Sequence, residues 1–322
     1  MSELRTGIDG RETVSERLIG RESPYLACEL CPRRCGVDRT KTTGFCGQTD
    51  EIRVGRAALH MWEEPCISGS EGSGTVFFVG CTLGCVYCQN YQISRRGAAG
   101  GKIVSVGRLA EIFLELQEKR ANNINLVTPT MFSPSIIEAV RIAREKGLKI
   151  PVLYNTSGYE LPEIISPLSG TVGIFLPDFK YLSPELSKKY SAAVNYPEFA
   201  KKSLCEMVKI SPECEFDSRG MMTRGVIVRH LLLPGQLEES KKVIGYLFSE
   251  YGNDIFYSLM SQYTPTAGLD REKFPELSRR VTTYEYHKLI DFALSLGIKN
   301  AFIQEREAAK ESFIPSFSGE EV

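Results

Sequence analysis

From residue 75 onward the chain repeats one pattern, a short apolar run followed by an amphipathic stretch. The amphipathic stretches carry apolar residues at three- and four-residue steps, which is the spacing of one helical face. Such an alternation is typical of the βα units of a parallel sheet or barrel. It predicts strands at 75–80, 124–129, 150–156, 171–178, 225–233 and 254–262. It also predicts helices at 106–120, 133–147, 239–252 and 281–297.

Six such units predict an α/β fold, a partial (βα)6 barrel of the TIM type. The active-site groups of such a barrel collect at the carboxyl ends of its strands. Polar groups occupy these ends here: Cys81, Thr128, Thr130, Asn155, Thr156, Asp178, Lys180, Arg229, His230, Gln262 and Tyr263. The sequence therefore predicts a site at this edge, against the alternative that the positions are polar only because they lie in loops.

The segment 1–74 differs from the rest, because it lacks long apolar periodic stretches and is rich in Cys, Gly, Arg and Glu. It ends in the loop-like stretch ISGSEGSG. We expect three parts: an N-terminal cysteine-rich segment over 1–74, the barrel over 75–304, and a C-terminal tail over 305–322 that is ordered only by contact with the rest. The first segment is expected to be either a small lobe braced by metal or an extended wrap.

Composition narrows the function classes. The net charge is -1, without the basic excess of a nucleic-acid-binding protein, so we expect no nucleic-acid partner. No apolar run approaches the roughly 20 residues of a membrane span, and the N-terminus lacks the apolar core of a signal peptide, so we expect no membrane and a cytoplasmic location. Thiols are kept reduced there, and the ten cysteines therefore favour metal ligation over disulfides.

Three cysteines, Cys81, Cys85 and Cys88, lie in the stretch FFVGCTLGCVYCQN. A closed zinc site needs four ligands, and the next cysteine downstream is Cys205, so these three form a poor zinc site alone. They match three irons of a cubane [4Fe-4S] cluster, which leaves the fourth iron open. A small molecule with an amine and a carboxylate can chelate that iron, and S-adenosylmethionine has both groups.

This C-x3-C-x2-C spacing, with Tyr87 before the last cysteine, closely resembles the signature of the radical S-adenosylmethionine superfamily. Together with CQNYQIS, PVLYNTSGY, FLPDFKY and IVRHLLLPG, it looks like the branch related to pyruvate formate-lyase activating enzyme, specifically uncharacterised relatives with an N-terminal cysteine segment. The resemblance covers roughly residues 25 to 300. It implies a [4Fe-4S] cluster, S-adenosylmethionine, an electron donor such as flavodoxin or ferredoxin, and a 5'-deoxyadenosyl radical that removes a hydrogen atom from a substrate.

The resemblance also implies roles for the first strand ends. Tyr87 is expected to abut the adenine of the cofactor. Family members hold the methionine amine with a Gly-Gly-Glu-like motif, and this chain has Thr128-Pro129-Thr130 there, with no carboxylate. The amine contact is therefore expected from the threonine hydroxyls and main-chain carbonyls. Asn155 and Thr156 stand where the activating enzymes have an Asp-Thr-Asn-Gly element.

Further along, Asp178 and Lys180 keep the Asp-x-Lys element of the activating enzymes. In those enzymes the third and fourth strand ends contact the methionine moiety and a monovalent cation. Arg229 and His230 end the fifth strand, which lines the cofactor or substrate cavity in relatives. The alternatives are a surface pair or helix cap for Asp178 and Lys180, and a satisfied core position for His230.

A second cysteine group precedes the first. The stretch CELCPRRCGVDRTKTTGFCG places Cys28, Cys31, Cys35 and Cys46 close together in the chain, enough for a complete metal site. Two interpretations stay open, a zinc knuckle that braces the lobe or an auxiliary iron-sulfur cluster that relays electrons. Cys66 is either a further ligand or an isolated thiol, and Cys205 and Cys214 are ordinary residues.

Three functions follow from these patterns. The first is an oxidoreductase that activates a glycyl radical enzyme by removing hydrogen from its glycine, and the second is radical modification of another peptide or a small metabolite. The third is a non-enzymatic iron-sulfur or zinc protein, against which the open three-cysteine site argues. The sequence names neither the substrate nor the reductant.

Overall fold

The structure, a computed structural model, describes residues 23–98, 100–303 and 322. Residues 1–22 of the expected N-terminal lobe and residues 305–321 of the expected tail lie outside the described part. The strands are β1 (Ile52–His60), β2 (Ser73–Phe78), β3 (Lys102–Val104), β4 (Ile124–Val127), β5 (Val152–Thr156), β6 (Ile174–Pro177), β7 (Glu215–Phe216), β8 (Met222–Leu231), β9 (Phe256–Met260) and β10 (Ala301–Ile303).

The helices include short, single-turn elements and longer ones. They are α1 (Pro65–Ser68), α2 (Tyr91–Ser94), α3 (Val106–Glu118), α4 (Ser133–Glu145), α5 (Pro162–Ile165), α6 (Pro184–Ser191), α7 (Tyr196–Ile210), α8 (Leu237–Tyr251) and α9 (Thr283–Ser295). Short 3-10 turns lie at Thr130–Phe132, Ser166–Leu168 and Pro275–Ser278. Among the helices of the described residues, none combines the length and the apolar composition that a membrane crossing requires.

One mostly parallel sheet organises the molecule. Its order is β10-β9-β8-β6-β5-β4-β2-β1-β3, and β7 pairs with β8. From β2 to β10 the neighbouring strands are parallel, whereas β1 pairs antiparallel with β2 and β3. Strands β4 and β6 are buried along their whole length, as expected of parallel strands covered on both faces. This confirms the predicted α/β class, a mostly parallel sheet that fits a partial TIM-like barrel.

All six predicted strands are present, and β1, β3, β7 and β10 are additional to them. Three of the four have only two or three residues, too few for a periodic signal. The fourth, β1, lies inside the segment expected to form a separate lobe, and it pairs with β2 from Val54 to His60. The sheet therefore extends into the segment 1–74.

The four predicted helices are also present, as α3, α4, α8 and α9, with ends shifted by no more than a few residues. Their starts have local causes: the Ser105 hydroxyl accepts from the main-chain N–H of Arg108, and Thr282 and Glu285 form a capping box at α9. Helices α6 and α7 are additional to the predicted set, although α7 buries Ala200, Leu204 and Met207 on one face.

Residues 61–72, here called the floor segment, close the amino-terminal end of the barrel. Ile67 and Cys66 in this segment pack among a cluster of apolar residues: Leu153, Ile174, Leu176, Met222 and Ile227. The side-chain amides of Asn122 and Asn123, just before β4, donate to the carbonyls of Ser68 and Ile67 at 2.7 and 2.8 Å. The amino-terminal end of the barrel interior is therefore closed by packed side chains.

The carboxyl ends of β5 and β6 touch through their main chains. The Tyr196 hydroxyl lies 3.0 Å from the carbonyl oxygens of both Ser157 and Asp178, to which it donates. Gly158 has φ +77°, and a Cβ atom there would overlap the Asp178 carbonyl oxygen. Any side chain at Gly158 would therefore push the two strand ends apart.

Replacing Gly158 by Ala and, in a separate variant, Gly170 by Ala distinguishes this contact from backbone strain. Gly170 is the control, because its φ is +78° but no atom lies within 4 Å of where its Cβ would be. Both substitutions should lower the free energy of unfolding by roughly 1–2 kcal/mol through the left-handed backbone. Gly158→Ala should lower it by about 1–3 kcal/mol more, because the added methyl meets main chain. Urea unfolding measures both, and equal losses would contradict the contact.

Candidate functional site

A cavity of about 1090 Å³ lies at the carboxyl ends of the parallel strands and reaches down to the floor segment. Cys81, Cys85 and Cys88, from the loop after β2, line it together. We call residues 81–88 the cysteine loop. Seven of the nine residues expected at the cofactor also line the cavity: Tyr87, Thr128, Asn155, Thr156, Asp178, Lys180 and Arg229. The predicted strand-end residues thus share a common cavity.

The cysteine loop directs hydrogen-bond donors at sulfur. Cys81 Sγ accepts from the main-chain N–H groups of Leu83 and Gly84 at 3.3 and 3.4 Å, and Cys85 Sγ accepts from the Ser191 hydroxyl at 3.0 Å. Burial raises the pKa of all three cysteines, and the positive charge of Lys180 acts in the opposite direction. Donors and a cation of this kind stabilise thiolates.

Asp178 and Lys180 form an ion pair in the cavity wall, with Lys180 Nζ 2.6 Å from Asp178 Oδ2. Burial lowers the pKa of Lys180, but the Asp178 carboxylate and the Cys85 sulfur outweigh burial and raise it above its usual range. The lysine side chain is 13% exposed and the aspartate 27%. The pair is therefore a partly buried feature of the cavity, not a surface pair.

Tyr87 lines the cavity from within an aromatic cluster. Its hydroxyl accepts a hydrogen bond of 2.6 Å from the hydroxyl of Tyr181, and its ring contacts Tyr190 and Tyr263 edge-on. At the end of β4, Thr128 has φ +58°, a strained conformation for a β-branched residue. Such outliers cluster at binding sites.

The structure places two of the expected cofactor residues, Thr130 and His230, outside the cavity. His230 is buried, and its Nδ1 and Nε2 atoms lie 2.7 Å from the Phe179 carbonyl and 2.8 Å from the Ser240 hydroxyl. Both ring nitrogens are therefore satisfied within the core. Thr130 is buried as well, and its hydroxyl donates to Glu160 Oε1 at 2.5 Å. The contact of Thr130 with the methionine amine therefore remains a prediction.

Glu160 is a buried carboxyl that the sequence patterns do not indicate. The hydroxyls of Thr130 and Thr156 both donate to its Oε1, while its Oε2 has no hydrogen-bond partner among the described residues. Burial raises the pKa of this carboxyl to about 7. The turn after β5 thus places the Glu160 carboxyl behind the Thr-Pro-Thr stretch. This carboxyl is fully buried and does not line the cavity.

The N-terminal cysteines lie together against the cysteine loop. Cys28, Cys31 and Cys46 are buried, and the sulfurs of Cys35 and Cys46 flank Gly44, 3.3 and 3.5 Å from where a Cβ atom would lie. Among the described residues, no three His, Cys, Asp or Glu side chains are arranged around a single metal ion. Thiolates on different irons of a cluster are farther apart than ligands of one ion.

Two contacts join this N-terminal segment to the cysteine loop. A Cβ atom at Gly80 would lie 2.9 Å from the Cys46 carbonyl oxygen, so only glycine permits the approach. The second contact is Arg33, which lies between Cys31 and Cys35. Its guanidinium donates to four main-chain carbonyls: Thr82, Ala192, Leu83 and Ser191, at 2.9, 2.6, 3.3 and 3.1 Å.

The floor segment contributes polar residues that the sequence patterns do not indicate. Glu63 and Glu64 line the cavity and pair with Arg229. They follow Trp62 in a stretch without helical or strand periodicity, and their partner is distant in the sequence. The one sequence feature that could have indicated this site is the pair of adjacent glutamates. Such a pair also occurs in solvent-exposed loops, so by itself it does not predict a buried site.

A mostly parallel α/β sheet with three cysteines in the loop after its first parallel strand defines the class of protein. Residues 75–246 match the Radical SAM superfamily, and the chain belongs to it. The superfamily implies a [4Fe-4S] cluster and S-adenosylmethionine. The match identifies the superfamily only. Membership of the branch related to pyruvate formate-lyase activating enzyme stays a proposal.

Among individual proteins, the chain is similar to the uncharacterized protein MJ0674 of Methanocaldococcus jannaschii, with 27% identity over 275 residues, 84% of this chain and 75% of the relative. Structures with lower similarity include Streptococcus suis SuiB bound to its precursor peptide SuiA (11% identity, TM-score 0.46, 71% of this chain and 47% of SuiB). The chain thus spans about half the length of SuiB.

Two more solved structures are similar at the same level. Methylornithine synthase (PylB) has 13% identity and a TM-score of 0.44, covering 91% of this chain and 83% of that chain. The FeFe-hydrogenase maturase HydG from Carboxydothermus hydrogenoformans has 12% identity and a TM-score of 0.44, covering 74% of this chain and 55% of that chain.

Replacing Arg33 by Gln tests whether it holds the cysteine loop. The change leaves four carbonyls without their donor, and because three of these contacts are partly buried and the one to Ala192 is exposed, we expect a loss of about 1–3 kcal/mol of stability. The neighbouring Arg34→Gln is the matched control, because Arg34 makes exposed ion pairs with Glu29 and Glu163, worth about 0–1 kcal/mol. Thermal unfolding and iron retention under anaerobic gel filtration measure the effect. Equal behaviour of the two variants would contradict it.

Proposed function

We propose that this protein binds a [4Fe-4S] cluster through Cys81, Cys85 and Cys88, cleaves S-adenosylmethionine reductively, and removes a hydrogen atom from a substrate. The observation that carries the proposal is the convergence of these three thiols with the strand-end polar groups on one cavity. When bound, the reduced cluster and S-adenosylmethionine supply a 5'-deoxyadenosyl radical. The protein's task is to bind, orient and exclude water.

The donor set of the site fits such a cluster. Three thiols leave one iron open, and the N–H groups of Leu83 and Gly84 offset thiolate charge on Cys81. Lys180 adds a positive charge near Cys85. We propose that Asp178, Asn155 and Thr128 supply oxygen acceptors to the N–H groups of the cofactor's amine.

The apolar parts of the same cavity support the exclusion of water. Phe77, Phe78 and Ile93 line it and are buried, and Leu231 and Met260 add apolar surface from β8 and β9. A radical carbon reacts with the nearest hydrogen donor, so a dry wall limits side reactions. We propose that Tyr87, inside its aromatic cluster, forms the part of the wall beside the adenine.

For the N-terminal cysteines we propose a second metal site, formed by Cys28, Cys31, Cys35 and Cys46. Their support is the buried cluster of thiols and its position beside the cysteine loop. The buried guanidinium of Arg39 lies 3.7 Å from Cys28 Sγ, which offsets negative charge on thiolates. Zinc and an iron-sulfur cluster both match four thiols, and a flavodoxin or ferredoxin is proposed as the electron donor in either case.

Two hydrogen donors are compatible with this chemistry. One is the glycine of a glycyl radical enzyme, as the resemblance of FLPDFKY and IVRHLLLPG to activating enzymes implies. The other is a different peptide or a small metabolite. The charged floor of the cavity favours the second donor, because a polar group buried at depth has to meet a polar part of the substrate.

Replacing Cys85 by Ala should reduce reductive cleavage of S-adenosylmethionine to background, because it removes one of three cluster ligands. Cys205→Ala is the matched control, since Cys205 is exposed on α7 and does not line the cavity. Anaerobically reconstituted, dithionite-reduced protein is assayed for 5'-deoxyadenosine and for iron. An unmodified protein that holds a full cluster yet yields no 5'-deoxyadenosine would sink the proposal.

Replacing Cys31 and Cys35 together by Ser identifies the metal of the N-terminal group. An auxiliary cluster predicts the loss of about four irons per chain, and a zinc site predicts the loss of one zinc with iron unchanged. Elemental analysis beside Cys205→Ser as control measures both metals. If neither the iron content nor the zinc content falls, the N-terminal thiols do not bind metal.

Deuterium transfer distinguishes the two hydrogen donors. A glycyl radical enzyme labelled with deuterated glycine is incubated with the reduced protein and S-adenosylmethionine, and the 5'-deoxyadenosine is examined by mass spectrometry. Deuterium in this product supports the activating function. A lack of transfer from every co-expressed glycyl radical enzyme supports the second donor.

A further inference from the structure

At the bottom of the cavity, two glutamates of the floor segment share one arginine. Arg229 donates from Nε to Glu64 Oε1 at 2.8 Å and from Nη2 to Glu64 Oε2 at 2.6 Å, a two-pronged pair. Glu63 Oε2 accepts a second bond from the same Nη2, and Glu63 Oε1 accepts from the amide of Asn125 at 2.8 Å. Glu64 therefore accepts hydrogen bonds from both Nε and Nη2 of Arg229, whereas Glu63 accepts only from Nη2, which it shares with Glu64.

All three charged side chains are removed from bulk water. The side chain of Glu63 is 7% exposed, that of Glu64 5% and that of Arg229 14%. Burial raises the pKa of Glu64, but Arg229 outweighs burial and lowers it below its usual range. Burial lowers the pKa of Arg229, and the two glutamates outweigh that effect and raise it. The single positive charge of Arg229 is thus shared between two buried carboxylates, Glu63 and Glu64.

Glu63 pairs with Arg229, but it shares that one guanidinium with Glu64. Asp178 and Lys180 neutralise each other. Burial lowers the pKa of His60, the histidine that lines the cavity among the described residues, and so disfavours its positive charge. Arg56 also lowers the pKa of His60 but does not line the cavity. Among the charged side chains that line the cavity within the described residues, one carboxylate is in excess.

We propose that Glu63 binds a cationic group of the substrate, a protonated amine or a guanidinium. An excess carboxylate in a buried site is costly until a cation reaches it, and a charge-assisted hydrogen bond to an N–H donor is among the stronger contacts available. The inference rests on the proposed function, and it names the substrate class of the same cavity.

The depth of this subsite suits a substrate that lies below the cofactor. Asn125, which holds Glu63, precedes Thr128 at the strand end by three residues, or about 10 Å along a strand. A molecule anchored at Glu63 extends toward the strand ends, where the three cysteines and Asp178 line the cavity. The cavity of about 1090 Å³ is slightly larger than the roughly 300–1,000 Å³ of typical ligand sites.

Trp62 lies beside the subsite and supplies a means to observe it. It precedes Glu63 directly, lines the cavity and is 61% exposed. An aromatic face next to a carboxylate is a common arrangement for cations, because the ring attracts positive charge as well. It is also the only tryptophan in the chain, so its fluorescence reports on this place alone.

The test titrates the full-length, anaerobically reconstituted protein, with S-adenosylmethionine present, while Trp62 emission is recorded. Agmatine and putrescine present the guanidinium or amine on a small molecule. Short peptides with a central lysine or arginine present the same cationic groups on a peptide. Succinate and 1,4-butanediol serve as anionic and neutral probes of comparable size. We expect saturable emission changes with cations only, and the arm that responds identifies a small-molecule or a peptide substrate.

Glu63→Gln should weaken cation binding by at least about 10-fold, because it removes the charge from the contact. Glu138→Gln is the matched control, since Glu138 is an exposed glutamate paired with Arg141 on α4, and it should bind as the unmodified protein does. Glu63→Asp keeps the charge with a shorter reach and should bind between the two. It provides the comparison if Glu63→Gln unfolds on a thermal scan.

Dithionite is then added to the same samples, and measuring 5'-deoxyadenosine in them separates the two proposals. Cleavage of S-adenosylmethionine without an emission response to any cation, or with equal responses in Glu63→Gln, overturns this inference and leaves the proposed function intact. Cation binding without cleavage overturns the proposed function, and with it the assignment of the cation as a substrate. Stronger binding of succinate than of the cations also overturns the inference.

Discussion

Parallel pairing of neighbouring strands is the constraint on which the site depends. Because β2, β4, β5, β6, β8 and β9 run in the same direction, their carboxyl ends meet at one edge. Cys81 and Arg229 are far apart in the chain, on the first and fifth of these strand ends, yet they line the same cavity. No local interaction brings them together, and the register of the sheet does so by main-chain hydrogen bonds alone.

Two segments outside the parallel strands turn this edge into an enclosed site. The floor segment seals the amino-terminal end with Cys66 and Ile67, and it carries Glu63 and Glu64 into the interior. On the opposite side, the N-terminal cysteine segment packs against the cysteine loop through Gly80 and Arg33. Both belong to the segment 1–74, of which residues 60–65 line the cavity directly, while the cysteine segment supports the cysteine loop from behind. Metal at the N-terminal cysteines would therefore act next to the loop that we propose as the cluster site.

Electrostatics divides the cavity into two zones. The upper zone contains the thiols and the neutral pair of Asp178 and Lys180. The lower zone contains the carboxylates of Glu63 and Glu64, and their guanidinium partner belongs to Arg229, which lies beside Asp178 in the sheet and so joins the two zones. Buried charges are costly, and a chain keeps them where a ligand or a mechanism needs them more often than for stability. The asymmetry of the lower zone is the physical basis for assigning a cationic group to the substrate.

The sequence by itself determined the α/β class, the six central strands and the three-cysteine loop, because periodicity and close cysteine spacing are local properties. It predicted Thr130 and His230 at the cofactor, whereas the structure buries both side chains outside the cavity, since proximity to a strand end does not say which face a side chain takes. Tertiary structure alone decided that Glu160 lies behind Thr130 and Thr156, that Arg33 holds the cysteine loop, and that Glu63 and Glu64 meet Arg229. Each of these contacts joins residues whose meeting depends on how separate elements pack, and no periodic pattern within one segment encodes that.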